Sequence, residues 1–195
     1  PGINQKQRER ARFALAEDFF SAGLLDRAED LYLQLRGTSE HRVTALRRLL
    51  RICEITAEWD RAVDLCGELL RIGTDTVTPG QLAHYYCELA EEARKKSDWK
   101  EAYRLLEQAE AVEPGKVRCT IIRGDLAADQ GQSVAAASAY AELARAVPAM
   151  LGDILPRLLR TVPQAGLEPL LQEVTATPEG LRGIADDAEH RRDRV

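Results

Sequence analysis

Apolar residues recur every three or four positions along most of this chain, which is the spacing of amphipathic helices. Four stretches share one pattern, in which a central alanine is followed four positions later by a large residue. They read GLLDRAEDLYLQL, AEWDRAVDLCGELL, SDWKEAYRLLEQAEAVEP and GQSVAAASAYAELARAVP. The central alanines follow one another at intervals of 34, 40 and 34 residues: Ala28, Ala62, Ala102 and Ala136. The pattern therefore predicts a chain of repeated helices.

A period of 34 residues is the signature of tetratricopeptide repeats, each a pair of antiparallel helices. With each central alanine at the twentieth position, the repeats cover 9–42, 43–76, 83–116 and 117–150. A less regular fifth unit covers 151–184, with Pro156 in its first turn or at a kink, and a partial terminal helix covers 181–195. The six inserted residues 77–82, which contain Pro79-Gly80, are predicted to form a loop. We predict an all-α, right-handed superhelix (an α-solenoid) with nine to eleven helices and no strands, forming a single domain over 1–195.

Paired helices approach closely only where side chains are small, so alanine or glycine is expected at each crossing and a large residue one turn later. We therefore expect the central alanines to be buried. The large residues are expected to fill the grooves between repeats: Tyr32, Cys66, Leu106 and Tyr140. Gly67 is interpreted as a further close contact. The turns within repeats are predicted near Gly23, Glu58, Asp98 and Gly131.

Composition narrows the class of protein. The formal net charge of −5 argues against a nucleic-acid partner, which would require a basic face. No apolar run reaches the roughly 18–20 residues of a transmembrane segment. The chain opens with Pro1 rather than Met, so we expect it to be a piece of a longer protein. Its cysteines form no Cys-x-x-Cys pair, which predicts packed free thiols and no metal or cofactor in this fragment: Cys53, Cys66, Cys87 and Cys119.

Catalytic motifs are not evident, and we predict that the chain is not an enzyme. No glycine-rich phosphate loop is followed by a lysine, and HRRDR at 190–194 resembles a kinase loop only in its letters. The three histidines lie far apart in the sequence. His41 is interpreted as an exposed helix start, and only His84 is a candidate for ligand contact.

A stacked-helix solenoid binds partners on the surface lined by the first helix of each repeat. The inward positions supply the candidate partner-binding residues: Phe13, Glu17, Phe20, Arg47, Arg51, His84, Glu91 and Arg94. Phe13 and Phe20 near Arg47 and Arg51 would suit a peptide with apolar and acidic residues. The alternative is that Phe13 or Phe20 packs beneath a preceding repeat that this chain does not include.

Three stretches resemble the lipopolysaccharide assembly protein B (LapB) family. They are AGLLDRAED at 22–30, ALRRLLRICEITAEWDRAVDLCGELLRIG at 45–73 and HYYCELAEEARKKSDWKEAYRLLEQA at 84–109. The resemblance covers most of 10–150, includes the insertion at 77–82, and extends to non-consensus residues such as His84, Cys87 and Glu88.

This resemblance implies an amino-terminal membrane helix, repeats on the cytoplasmic side of the inner membrane, and a carboxy-terminal rubredoxin-like metal domain outside this fragment. It implies an adaptor of Gram-negative bacteria that regulates lipopolysaccharide synthesis by presenting the LpxC deacetylase to the FtsH membrane protease, under control of an inner-membrane regulator.

Two alternatives stay open. The first is a general tetratricopeptide adaptor for acidic chaperone tails, which would require Lys and Asn where Phe13 and Glu17 stand. The second is an oligomerisation module, for example a homodimer.

Overall fold

The computed structural model describes residues 4–38, 40–161, 171–172 and 175–176. Over these ranges the chain forms nine α-helices and one short 3-10 helix, without β-strands. The helices of the first two repeats are α1 (Gln5–Ser21), α2 (Leu25–Leu35), α3 (Arg42–Thr56) and α4 (Trp59–Ile72). Then come α5 (Pro79–Lys95), α6 (Trp99–Val112), α7 (Val117–Asp129), α8 (Ser133–Ala146), the 3-10 helix (Pro148–Met150) and α9 (Leu151–Thr161). The predicted all-α class is confirmed.

Each of the four predicted repeats is one pair of consecutive helices, and the turns lie where the sequence places them. Helix α1 ends before Gly23, α3 before Glu58, α5 before Asp98 and α7 before Gly131. Helix α1 begins one turn earlier than the predicted repeat, because Asn4 caps it. The Asn4 side chain accepts a hydrogen bond from the Gln7 amide, and the Gln7 side chain accepts one from the Asn4 amide.

The predicted crossing positions are all buried. The four central alanines have no exposed surface, and the large residues four positions later are also enclosed. Gly124, in the first helix of the fourth repeat, lies against the ring of Tyr140, so that a Cβ atom there would come within 2.4 Å of Tyr140 Cε1. The repeat pattern thus identifies the residues that hold each helix pair together.

Gly67 does not mark a close contact, and that interpretation is wrong. A Cβ atom built at Gly67 would have no neighbouring heavy atom within 4 Å. The glycine lies inside α4, where its missing side chain leaves open space.

The insertion at 77–82 forms the predicted loop only at residues 77 and 78, because Pro79 and Gly80 begin α5. The Thr78 hydroxyl accepts a hydrogen bond from the Gln81 amide at 3.3 Å, and the Gln81 side chain accepts one from the Thr78 amide at 3.0 Å. This reciprocal pair is a capping box, and Pro79 is compatible with the first helical position because no hydrogen bond is required of its nitrogen. Residues 79–82 of the insertion therefore belong to α5, whereas residues 77 and 78 precede the helix.

The chain divides into two compact units, residues 1–89 and 90–195. In the first unit α1 packs against α2, α2 against α3 and α3 against α4, and the core contains Tyr32, Leu46, Leu69 and, from α5, Tyr85. In the second unit α7, α8 and α9 pack around Tyr140, Leu151 and Ile154.

The four cysteines are buried, and none of them forms a disulfide within the described ranges. Burial raises the pKa of Cys53 and of Cys66 to about 11, which keeps both thiols protonated at neutral pH.

Pro156 lies in the middle of α9 rather than in its first turn. The predicted terminal helix at 181–195 falls outside the described residues. None of the described helices is long and apolar enough to cross a membrane.

Candidate partner-binding cleft

A cleft of about 380 Å³ opens in the first unit between the end of α1, one face of α3 and the segment that begins α5. It brings together three of the predicted site residues, Phe20, Arg47 and Arg51. Because Arg47 and Arg51 are four residues apart on α3, they share one helix face. The remaining lining residues are Thr44, Arg48, Leu50, Glu54, Thr76, Val77 and Gln81.

Three arginines line the cleft, and two of them, Arg48 and Arg51, form hydrogen bonds with carboxylates of the chain. Arg51 Nη1 donates to Glu54 at 2.9 Å, and the other Glu54 oxygen accepts a 2.6 Å hydrogen bond from the Tyr85 hydroxyl. Burial and this bond together raise the pKa of Tyr85, so its hydroxyl stays protonated as a donor. Arg48 donates to Glu17 through Nε at 2.8 Å and lies 5.1 Å above the centre of the Phe20 ring.

Glu17 therefore holds an arginine of the neighbouring repeat. It accepts hydrogen bonds from Arg48 and, at 2.6 Å, from the Tyr32 hydroxyl. Burial would raise the pKa of Glu17, but these hydrogen bonds outweigh it and lower the pKa. The carboxylate joins α1, α2 and α3, and it fixes Arg48 at the cleft.

Arg47 differs from Arg48 and Arg51 in that no carboxylate of the described residues holds it. Its side chain is exposed at the cleft, and no described residue hydrogen-bonds or ion-pairs with it. The cleft therefore carries three guanidinium groups and one lining carboxylate, Glu54. Its local charge is opposite in sign to that of the chain as a whole.

The other predicted site residues lie elsewhere. Phe13 stacks on His41 with ring centres 4.8 Å apart and meets Tyr32 edge-on. His84 is half exposed, lies 3.7 Å from Glu88 and contacts the Trp59 ring.

His41 is partly buried rather than exposed, because it stacks on Phe13. The predicted helix start is confirmed, because His41 is the N-cap residue of α3, but the predicted exposure is wrong.

Glu91 and Arg94 belong to the second unit. Arg94 donates to both Glu91 oxygens, at 2.7 and 2.8 Å, and also to Asp129. The hydrogen bond from Arg94 lowers the pKa of Glu91 against the opposing effect of burial. Arg94 lines a second cleft, together with Asp125, Tyr140 and Arg157.

The second cleft repeats the arrangement around Glu17. Asp125 accepts from the Tyr140 hydroxyl at 2.7 Å and from Arg157 Nε at 3.0 Å. Arg94 and Arg157 are thus already paired with acidic residues.

Sequence reasoning missed Arg48, Val77 and Gln81. Arg48 directly follows Arg47 and does not occupy one of the four inward positions. The sequence predicts a loop at both Val77 and Gln81, and Val77 does precede α5. Gln81 lies within α5, and the Thr78–Gln81 spacing in TPGQ is the sequence signal of the capping box that begins this helix.

The chain is similar in sequence to bacterial proteins named lipopolysaccharide assembly protein B. No family model matches the chain. Lipopolysaccharide assembly protein B of Escherichia coli K12 is 35% identical over 130 residues, which are 67% of this chain and 33% of the relative. The predicted resemblance is confirmed. The protein of that name from Haemophilus influenzae is 32% identical over 155 residues, 80% of this chain and 39% of the relative. The chain thus spans about a third of the length of the E. coli relative.

Solved structures share the fold. The crystal structure of MamA protein matches with a TM-score of 0.52 at 14% identity, over 97% of this chain and 96% of that one. At this identity the match concerns the fold alone. The helix pairs and their 34-residue period identify a tetratricopeptide-repeat fold, an architecture whose stacked repeats form extended binding surfaces.

Proposed function

We propose that this chain is the partner-binding segment of an adaptor that regulates lipopolysaccharide synthesis on the cytoplasmic side of the bacterial inner membrane. Its partners would be the LpxC deacetylase, the FtsH membrane protease and an inner-membrane regulator. The 35% identity to lipopolysaccharide assembly protein B carries this proposal.

The cleft supports the binding role independently of the similarity. Phe20 supplies aromatic surface, and Arg47 and Arg51 supply guanidinium groups, which are the kinds of side chain that dominate protein interfaces. Arg48 and Glu54 are held in place by hydrogen bonds, so little side-chain entropy is lost when a partner binds.

Interferometry with immobilised chain tests the proposal. Purified LpxC and the soluble part of FtsH are the analytes, and we expect affinities on the order of micromolar because only one segment of the adaptor is present. The double variant R47E/R51E should abolish binding of at least one of them.

The matched control is the double variant R71E/K100E. It changes the net charge equally and alters exposed residues outside the cleft. Thermal melts of both variants are recorded, and each should stay close to the parent because surface substitutions usually change stability by less than about 0.5 kcal/mol. Binding of neither protein would contradict the adaptor proposal, and equal loss in both variants would contradict the cleft as the site.

A further inference from the structure

We propose that the cleft takes an extended, carboxylate-rich peptide segment, with Arg47 as its anchor and Glu54 as a built-in competitor for the ligand's carboxylates. This proposal rests on the partner-binding role of the cleft. It goes further by naming the ligand chemistry and a residue that limits affinity.

Charge decides the ligand class. Arg47, Arg48 and Arg51 face a cleft in which Glu54 is the one acidic lining residue among those described. Guanidinium groups bind carboxylates through paired, charge-assisted hydrogen bonds. An acidic segment therefore fits this surface, and a basic one is repelled.

The internal hydrogen bonds assign different roles to the three arginines. Arg48 uses Nε and Nη2 to hold Glu17, and Arg51 uses Nη1 to hold Glu54. Arg47 has no such partner among the described residues, so all its donors are available to a ligand. Arg47 is therefore the anchor.

Glu54 occupies a place that a ligand carboxylate could take. The Tyr85 hydroxyl fixes one of its oxygens at 2.6 Å, and the other lies 2.9 Å from Arg51. Because Tyr85 is buried, Glu54 cannot swing away without breaking a hydrogen bond in the core. The cleft thus carries its own anion at Arg51, which weakens the attraction for a second acidic residue of the ligand.

The apolar lining explains why the ligand is a peptide and not a simple anion. Leu50 and Val77 are buried beneath the cleft, and Phe20 is partly exposed beside them. An apolar side chain between two acidic residues would cover this floor while its neighbours reach the arginines. Free phosphate would pair with the arginines but would leave the apolar floor of the cleft uncovered.

Fluorescence anisotropy of a labelled peptide with alternating Glu and Leu residues tests the proposal. One comparison peptide has Gln in place of each Glu, and another has Ser in place of each Leu. R47E should weaken binding about 10- to 100-fold, the range of a lost charge-assisted hydrogen bond. The single variant K100E, which changes the net charge equally, should leave affinity within about twofold.

The variant E54Q supplies the sharper test, because it should tighten binding. Glutamine keeps an oxygen to accept from Tyr85 but removes the competing charge at Arg51. We expect a gain in affinity of about three- to tenfold, together with a lower melting temperature than the parent because the two charge-assisted bonds of Glu54 become neutral ones, so binding is measured well below the melting transition. Unchanged or weaker binding by E54Q would overturn the competitor role.

The outcomes separate this inference from the adaptor proposal. Equal binding of the Gln peptide, equal loss in R47E and K100E, or displacement by millimolar phosphate alone would overturn the acidic-peptide ligand, even if LpxC or FtsH binds. Binding of the acidic peptide without binding of either protein would support the inference and contradict the adaptor assignment.

Discussion

At the scale of single residues, two glycines in helices have opposite environments. Gly124 is in contact with the Tyr140 ring, whereas Gly67 in α4 has open space where its side chain would stand. A short sequence window does not distinguish them, because both occur in apolar helical segments. Only the first contributes to packing.

Replacing Gly67 with alanine should stabilise the protein. Alanine lowers the backbone entropy lost on helix formation, and the gain is about 0.5–1 kcal/mol in the free energy of unfolding. Urea denaturation followed by circular dichroism measures it. The control Gly124→Ala should lose about 1–3 kcal/mol through overpacking against Tyr140, and a loss of stability in Gly67→Ala would contradict the open environment.

At the scale of elements, the turns within repeats all use one residue in the left-handed conformation. Gly23, Ala57, Ser97 and Gly131 have φ values of 73°, 57°, 59° and 73°. Their intervals are 34, 40 and 34 residues, the same as those of the central alanines. The turn geometry is therefore conserved within the chain, although two of the four turns carry a side chain that strains it.

Ala57→Gly should relieve this strain and raise the free energy of unfolding by about 1 kcal/mol. The reverse change at an equivalent turn, Gly131→Ala, should lower it by a similar amount. Both are measured by urea denaturation at a single pH. Destabilisation by Ala57→Gly would show that the lost alanine contacts outweigh the backbone effect.

The junction between the first two repeats is held by Glu68, which is 9% exposed. Its carboxylate accepts from Arg36, just after α2, and at 3.0 Å from Arg42, the first residue of α3. Burial would raise the pKa of Glu68, but these two hydrogen bonds lower it. A lowered pKa means that the stabilisation is complete above the ordinary carboxyl pKa and is lost as pH falls through the folded value.

Glu68→Gln should therefore destabilise the protein by about 1–2 kcal/mol at neutral pH, since two charge-assisted bonds become neutral ones. The difference from the parent should begin to shrink as pH falls below the ordinary carboxyl pKa, and it should disappear as pH falls through the lowered folded pKa of Glu68, where the parent carboxylate becomes protonated as well. Unfolding free energies measured from neutral to acidic pH check this. A difference that stays constant down to about pH 3 would exclude Glu68 as its source.

At the scale of the whole molecule, stability depends on each helix pair packing against its neighbours. Ala62 has no exposed surface at the crossing of α3 and α4, so Ala62→Leu should cost about 1–3 kcal/mol by overpacking. A thermal melt detects the loss. The matched control Ala135→Leu, at an exposed position of α8, should melt close to the parent. Equal melting of the two variants would show that the crossing tolerates bulk.

The sequence by itself determined the helices, their pairing and the buried alanines, because close helix crossings demand small residues at a fixed period. It also placed Phe20, Arg47 and Arg51 on a common surface. It did not determine that Pro79 begins a helix or that Gly67 lacks contacts.

The tertiary structure alone decided which charges are satisfied. Glu54 is held by Tyr85 from another repeat, Glu17 holds Arg48 across a repeat boundary, and Arg47 has no described partner. Long charged side chains reach neighbours more than 30 residues away in sequence, so their pairing follows from how the repeats stack and not from any local period.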